Sequence, residues 1–172
     1  METTKHPLTT EQRQFFASLA PYLNLPFYFF GSIQRSDYVA GQSDIDVDLF
    51  SPEPEKIARR LHHLLQGSDE VSIKRVWWQF DGHEITGYKV KYKRPVLQGV
   101  TTEPLKVEFS IYGQQVQPLV LQKHRQHMFV SPYISFLLLL LKTFFRKSWI
   151  YPAVKKQVMS HNDIFVSFPY PV

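Results

Sequence analysis

The chain contains no cysteine, which excludes disulfides, cysteine-ligated zinc and thiol chemistry together. It also lacks the basic-then-apolar opening of a secretory signal, since it begins Met1-Glu2-Thr3-Thr4-Lys5-His6. The expected compartment is therefore the cytosol or the nucleus, with no secretion. No apolar run is long enough to suggest a membrane segment. The longest, Phe136 to Leu141 within Tyr133 to Phe145, falls well short of the roughly 20 residues that a spanning helix needs, and it reads as a buried helix. Internal repeats and low-complexity segments are absent as well, which argues against a solenoid or a linker-like chain.

What is present suits one globular unit. A length of 172 residues with 44% hydrophobic and 15% aromatic side chains can bury a core without disulfides or structural metal. The formal charge of +5 and a pI near 9.4 favour polyanionic partners such as nucleotides or nucleic acid, although solubility alone would account for a modest excess of this kind.

Thr9 and Gln12 stand at capping-box spacing before Phe15, Phe16 and Leu19, which predicts a helix over residues 8–20 closed by Pro21. Residues 26–30 are an aromatic run ending at Gly31, the pattern of a buried strand that feeds a turn. From Asp44 the chain alternates, with Asp44, Asp46 and Asp48 on one side of a strand and Ile45, Val47 and Leu49 on the other, so one face is core and the other is acid. Ser51 and Pro52 have the residue types of a helix cap and first turn, and Ile57, Leu61, Leu64 and Leu65 then recur at helical spacing up to Gly67.

Residues 71–80 and 85–92 are rich in β-formers and flank Asp81-Gly82, the dipeptide of a tight hairpin. In residues 105–112, Leu105, Val107, Phe109 and Ile111 alternate inward against Lys106, Glu108 and Ser110 outward. A third carboxylate thus stands on a strand face. A polar stretch, 114–127, precedes Ser131-Pro132, which opens an apolar helix to about Lys147. The tail, 154–172, receives no assignment. The expected fold is α/β or α+β: a small mixed sheet backed by helices, with residues 1–113 as core and 114–172 as a helical C-terminal part packed on it.

Asp44 and Asp46 on one strand face lie about 7 Å apart along the chain. Two like charges at that spacing call for solvent, a basic side chain or a divalent cation. Hard oxygen donors, without cysteine or a clear histidine partner, point to Mg²⁺ or Mn²⁺ over zinc. Upstream, Gly31 permits close backbone approach, and the amides and hydroxyl of Gly31-Ser32 can grip phosphate oxygens.

With eleven residues between Ser32 and Asp44, the strings Gly31-Ser32-Ile33-Gln34-Arg35 and Ser43-Asp44-Ile45-Asp46-Val47 resemble the DNA polymerase beta-type nucleotidyltransferase superfamily. The resemblance spans residues 26 to about 112. It implies a metal-dependent enzyme that moves a nucleoside monophosphate from a nucleoside triphosphate such as ATP to an acceptor hydroxyl and releases pyrophosphate. It further implies metal ligation and catalysis by Asp44, Asp46 and a third acid, for which Glu108 is the fitting position, although aspartate is usual there. Gly31, Ser32, Arg35 and Ser43 would bind substrate. The acceptor could be nucleic acid, protein or a small molecule; basic charge favours nucleic acid.

Plainer roles compete at each position. The three aspartates could be a solvated edge strand, Glu108 an exposed partner of a lysine such as Lys106, Arg35 a surface arginine, and Ser32 a turn residue. His124 and His127 are spaced for metal on a helix but have no accompanying ligand cluster. Lys74, Arg75, Lys89, Lys91, Lys93 and Arg94 form a basic cluster on the hairpin. From these basic residues the alternative function follows: a catalytically silent nucleotidyltransferase-like domain that binds nucleic acid or a partner protein.

Overall fold

In the computed structural model, which describes residues 4–39, 43–67, 70–94, 104–128, 132–144, 154 and 164–170, the chain is a mixed α+β fold. The Thr9 hydroxyl accepts from the Gln12 amide and the Gln12 side chain accepts from the Thr9 N–H, so both halves of the predicted capping box start α1 (Thr10–Leu23). Pro21 does not end this helix. It sits in the last turn, where one lost hydrogen bond is outweighed by burying Leu19 and Leu23. The chain leaves at Asn24, whose φ of 50° is left-handed and whose N–H bonds the Ala20 carbonyl.

Strand β1 (Tyr28–Phe30) runs into a 3₁₀ turn, Gly31–Gln34, and β2 (Ile45–Ser51) follows. The second helix, α2 (Pro54–Leu65), begins later than the Ser51-Pro52 pair suggests. Ser51 still pairs with Gly113 at the end of the sheet, and its hydroxyl accepts from the Glu53 N–H. Pro54 then takes the first helical turn, where a missing N–H costs nothing. The hairpin of β3 (Glu70–Phe80) and β4 (His83–Arg94) turns at Asp81 and Gly82, with φ of 47° and 77°, the left-handed pair that a two-residue turn requires. Then come β5 (Leu105–Gly113), a short turn at Gln114–Val116, α3 (Gln117–Met128), α4 (Pro132–Phe144) and β6 (Ile164–Pro169).

The sheet has the order β1-β2-β5-β4-β3-β6. Only the β2–β5 pair is parallel; the other neighbours are antiparallel. Strand β6 comes from the tail that sequence patterning leaves unassigned. One face buries Ile45, Val47, Leu49, Val107, Phe109, Val90 and Tyr92 under α1 and α2 residues such as Phe16 and Leu61. The opposite face carries the acids, and its far end buries Phe50, Tyr112, Trp78 and Ile85 with Val120 of α3. The helical reading of residues 117–128 was not available from their polar sequence; α3 forms because one side of it closes over this second face.

The apolar helix departs from its expected burial. On α4, Tyr133 is 87% exposed and Phe136 60%, and Leu137 and Leu140 are also exposed, whereas Leu138 is buried. Helical propensity made the helix, but an apolar run alone does not supply a covering surface. The expected continuation to Lys147 and the stop at Pro152 lie outside the described residues. Among the described residues, no helix is long and apolar enough to cross a membrane.

Phe16 is wholly buried and packs against the rings of Phe27, Phe29 and Phe109, so it joins α1 to the strands that bear the acids. Phe16→Ala is expected to destabilise the fold by about 3–5 kcal/mol through the cavity it leaves, measured as a lowered urea midpoint with an unchanged slope.

Candidate active site

Alternation along β2 and its approach places Asp44, Asp46 and Asp48 on one face, with falling exposure: Asp44 is exposed, Asp46 half-buried and Asp48 fully buried. The gradient exists because α3 covers only one end of this face. Parallel pairing sets Asp46 opposite Glu108 of β5, and antiparallel pairing sets Glu108 opposite Lys91 of β4. Asp46, Glu108 and Lys91 therefore form one row across three adjacent strands, with side chains on the same side of the sheet. The next row holds Asp48, Ser110 and Lys89.

The Gly31 turn abuts the first row. Phe30 pairs with Asp46 across β1 and β2, Gly31 has a φ of +70°, and a Cβ there would lie 2.1 Å from Asp46 Oδ2. Only glycine both adopts this backbone conformation without strain and leaves room for the carboxylate. Ser32 follows, buried in the turn. Gly31, Ser32, Asp46 and Glu108 are thus brought together, with Asp44 at the exposed lip of the same face.

Arg35 and Ser43 have other partners. Arg35 is buried and makes two hydrogen bonds to the equally buried Asp37, Nε to Oδ1 at 2.9 Å and Nη2 to Oδ2 at 3.1 Å. The Ser43 hydroxyl accepts from the Val39 N–H at 2.8 Å, and the Ser43 N–H returns to the Val39 carbonyl. Both sets of bonds lie between the glycine turn and the aspartates.

Glu108 does pair with lysines, as the plain reading has it, but with Lys89 and Lys91 of β4 in place of Lys106, and it is largely buried, not exposed. Lys89 donates to one of its oxygens, and Lys91 Nζ lies 2.6 Å from the other. Burial by itself would raise the Glu108 pKa; the two ammonium groups more than reverse this and hold it below the usual carboxylate value. Partial burial likewise works against the charge on Lys91, yet its contact with Glu108 and the charges of Asp44 and Asp46 leave its pKa raised.

Asp48 meets His124 of α3, whose Nε2 is 2.7 Å from Asp48 Oδ2. The approach lies off the line of a good hydrogen bond, and among the described residues no well-directed donor reaches either Asp48 oxygen. His124 also stacks on Phe30, with ring centroids 4.0 Å apart. Burial pushes the Asp48 pKa up despite the opposing pull of His124 and Lys89. The His124–Asp48 pair escapes sequence reasoning, which links His124 only to His127; that second side chain lies outside the described residues. A cavity of about 610 Å³ opens beside this pair, bordered by Phe30, Gln34 and Arg125, and a smaller one of about 230 Å³ borders Asp44, Lys91 and Glu108.

As oxygen donors, Asp44 and Asp46 fit a hard divalent cation, with the bare Gly31 backbone leaving space against Asp46. Glu108 fits less directly, because its carboxylate is already held by two lysines. Among the described residues, no three carboxylate or imidazole side chains converge as a closed metal site.

The structure is thus a mixed sheet with paired acids beside a glycine-opened turn. The family model described as "Nucleotidyltransferase domain" matches residues 10–118, more than half of the chain. The chain belongs to this family, within the polymerase beta-type nucleotidyltransferase superfamily. No curated protein and no solved structure matches it.

Two outcomes follow from this geometry. Gly31→Ala is expected to cost about 1–3 kcal/mol in stability, from positive-φ strain and the clash with Asp46; a thermal melt unchanged from wild type would contradict the close approach. For Asp48, the folded-state pKa lies above the ordinary value of 3.8, so the folded chain holds this proton more tightly than the unfolded one. Its stabilising contribution is complete below the unfolded value and is lost as pH rises through the folded value. The stability difference between Asp48→Asn and wild type, from urea melts at about pH 3 and about pH 7, should move in the variant's favour as pH rises. Movement the other way would mean that the His124 pair outweighs burial.

Proposed function

We propose that this nucleotidyltransferase-family protein moves a nucleoside monophosphate from a nucleoside triphosphate to an acceptor hydroxyl in a Mg²⁺- or Mn²⁺-dependent reaction. The observation that carries this reading is the position of Asp46, which touches the Gly31 turn on one side and stands beside Glu108 on the other. Phosphate cradle and acid row are thereby adjacent, as in-line attack at an α-phosphorus demands.

Asp44 and Asp46 are the residues that would hold the metal, and Gly31 and Ser32 those that would meet the triphosphate. Divalent ions, when bound, lower the pKa of the acceptor hydroxyl and neutralise charge on the departing pyrophosphate. In the overall change, a bond forms from the acceptor oxygen to the α-phosphorus, the bond to the pyrophosphate oxygen breaks, and the hydroxyl proton leaves. The protein's part is placement: the paired strands hold the carboxylates in register, Arg35–Asp37 and Ser43 fix the intervening loop, and Lys89 and Lys91 balance the charge of Glu108. Nucleic acid is the favoured acceptor, because Lys74 and Lys93 lie on the acid-bearing face of the hairpin beyond the two lysines that meet Glu108.

The test mixes purified protein with each α-labelled triphosphate, Mg²⁺ or Mn²⁺, and RNA, DNA, protein or small hydroxylic acceptors. Label transfer by wild type is expected, with a fall of about a thousandfold, or ~4 kcal/mol in barrier, in the folded Asp44→Asn, Asp46→Asn double variant. Equal transfer by both proteins would overturn this reading.

A further inference from the structure

The first row across the sheet carries its own cation. Asp46 and Glu108 are direct neighbours in the parallel ladder, an arrangement that brings like charges together and would be costly uncompensated. The compensating charge comes from the next strand: Lys91 is register partner to Glu108, its Nζ is 2.6 Å from Glu108 Oε2, and the charges of Asp44 and Asp46 act on it as well. Its environment differs from that of Lys89. The Lys89 side chain is 17% exposed and lies over the Phe165 ring of β6, so packing holds it in place. The Lys91 side chain is 53% exposed and borders the open cavity shared with Asp44. A long, half-exposed chain of this kind can leave without disturbing the core.

Granted the metal-dependent transfer proposed above, we propose that Lys91 is the resident counter-ion of the Asp44, Asp46 and Glu108 row, and that it and a divalent cation neutralise this row in competition. In the metal-free protein the ammonium keeps the acids in place. With a divalent cation held by Asp44 and Asp46, Lys91 would lose its electrostatic hold there and would be free to meet a phosphate oxygen of the incoming triphosphate. Lys91 is therefore a positioning residue that couples metal binding to triphosphate binding, and Lys89 remains as the fixed partner of Glu108.

Mn²⁺ binding to the full chain, read by electron paramagnetic resonance of the free ion, tests this without any catalytic turnover. Lys91→Met and Lys91→Gln should bind Mn²⁺ about tenfold more tightly than wild type, the scale on which one adjacent unit charge moves an ionic equilibrium. Lys91→Arg, which keeps the charge, should stay near wild type. Lys93→Met removes an equal charge from the same strand face, where Lys93 pairs with Glu70, and should also change little. Circular dichroism verifies folding of each variant. Unchanged or weaker Mn²⁺ binding in both neutral Lys91 variants overturns the proposal, as does an equal gain in Lys93→Met, which would reduce the effect to net charge. If wild type and the Lys91 variants alike bind no Mn²⁺, the metal-dependent reading itself fails and this inference falls with it; binding by wild type that Asp44→Asn abolishes preserves the reading whatever Lys91 does.

Discussion

The feature on which the site depends is the in-register pairing of β2 with β5, the single parallel ladder in the sheet. It sets Asp46 against Glu108 at strand spacing, and everything near them answers the resulting negative charge. Lys91 and Lys89 arrive from β4 because β4 pairs antiparallel with β5 at Lys91–Glu108 and Lys89–Ser110. A slip of one residue in either ladder would turn these side chains into the α1- and α2-covered core, where an unpaired charge is prohibitive. The hydrophobic alternation that fills that core with Val47, Phe109 and Val90 is thus also what holds the acid row in register.

On the same face, exposure decides what each aspartate can do. Asp44 meets solvent, Asp46 meets the backbone of Gly31, and Asp48 lies under α3 beside His124. Three identical residues at identical spacing therefore have three environments, with exposure falling from Asp44 to Asp48. Asp48 and His124 instead fasten α3 to the sheet, with Phe30 stacked on the imidazole.

Much of the core was legible in the primary structure. The capping box at Thr9 and Gln12, the Asp81-Gly82 turn, the alternating strands and the Gly31-Ser32 to Asp44-Asp46 spacing depend on neighbours within a few residues, and local chemistry suffices to read them. The departures involve longer range. Pro21 stays inside α1 because Leu19 and Leu23, two residues to either side of it, are buried. Pro52 does not start α2 because Ser51 is still committed to β5. The exposed α4 face and the sheet-edge strand β6 reflect packing partners that no local pattern names.

The sequence by itself determined which chemistry this chain can attempt: hard oxygen donors without thiols, a glycine turn at the spacing of a nucleotidyltransferase, and a basic hairpin. Only the tertiary structure decided which groups meet. Register between strands distant in sequence chose Lys89 and Lys91 as the partners of Glu108, burial under α3 separated Asp48 from the other aspartates, and a short-range ion pair drew Arg35 to Asp37. The physical reason is that charge pairing and desolvation act over a few ångströms of space, whereas the order of residues specifies such distances only along a single helix, strand or turn.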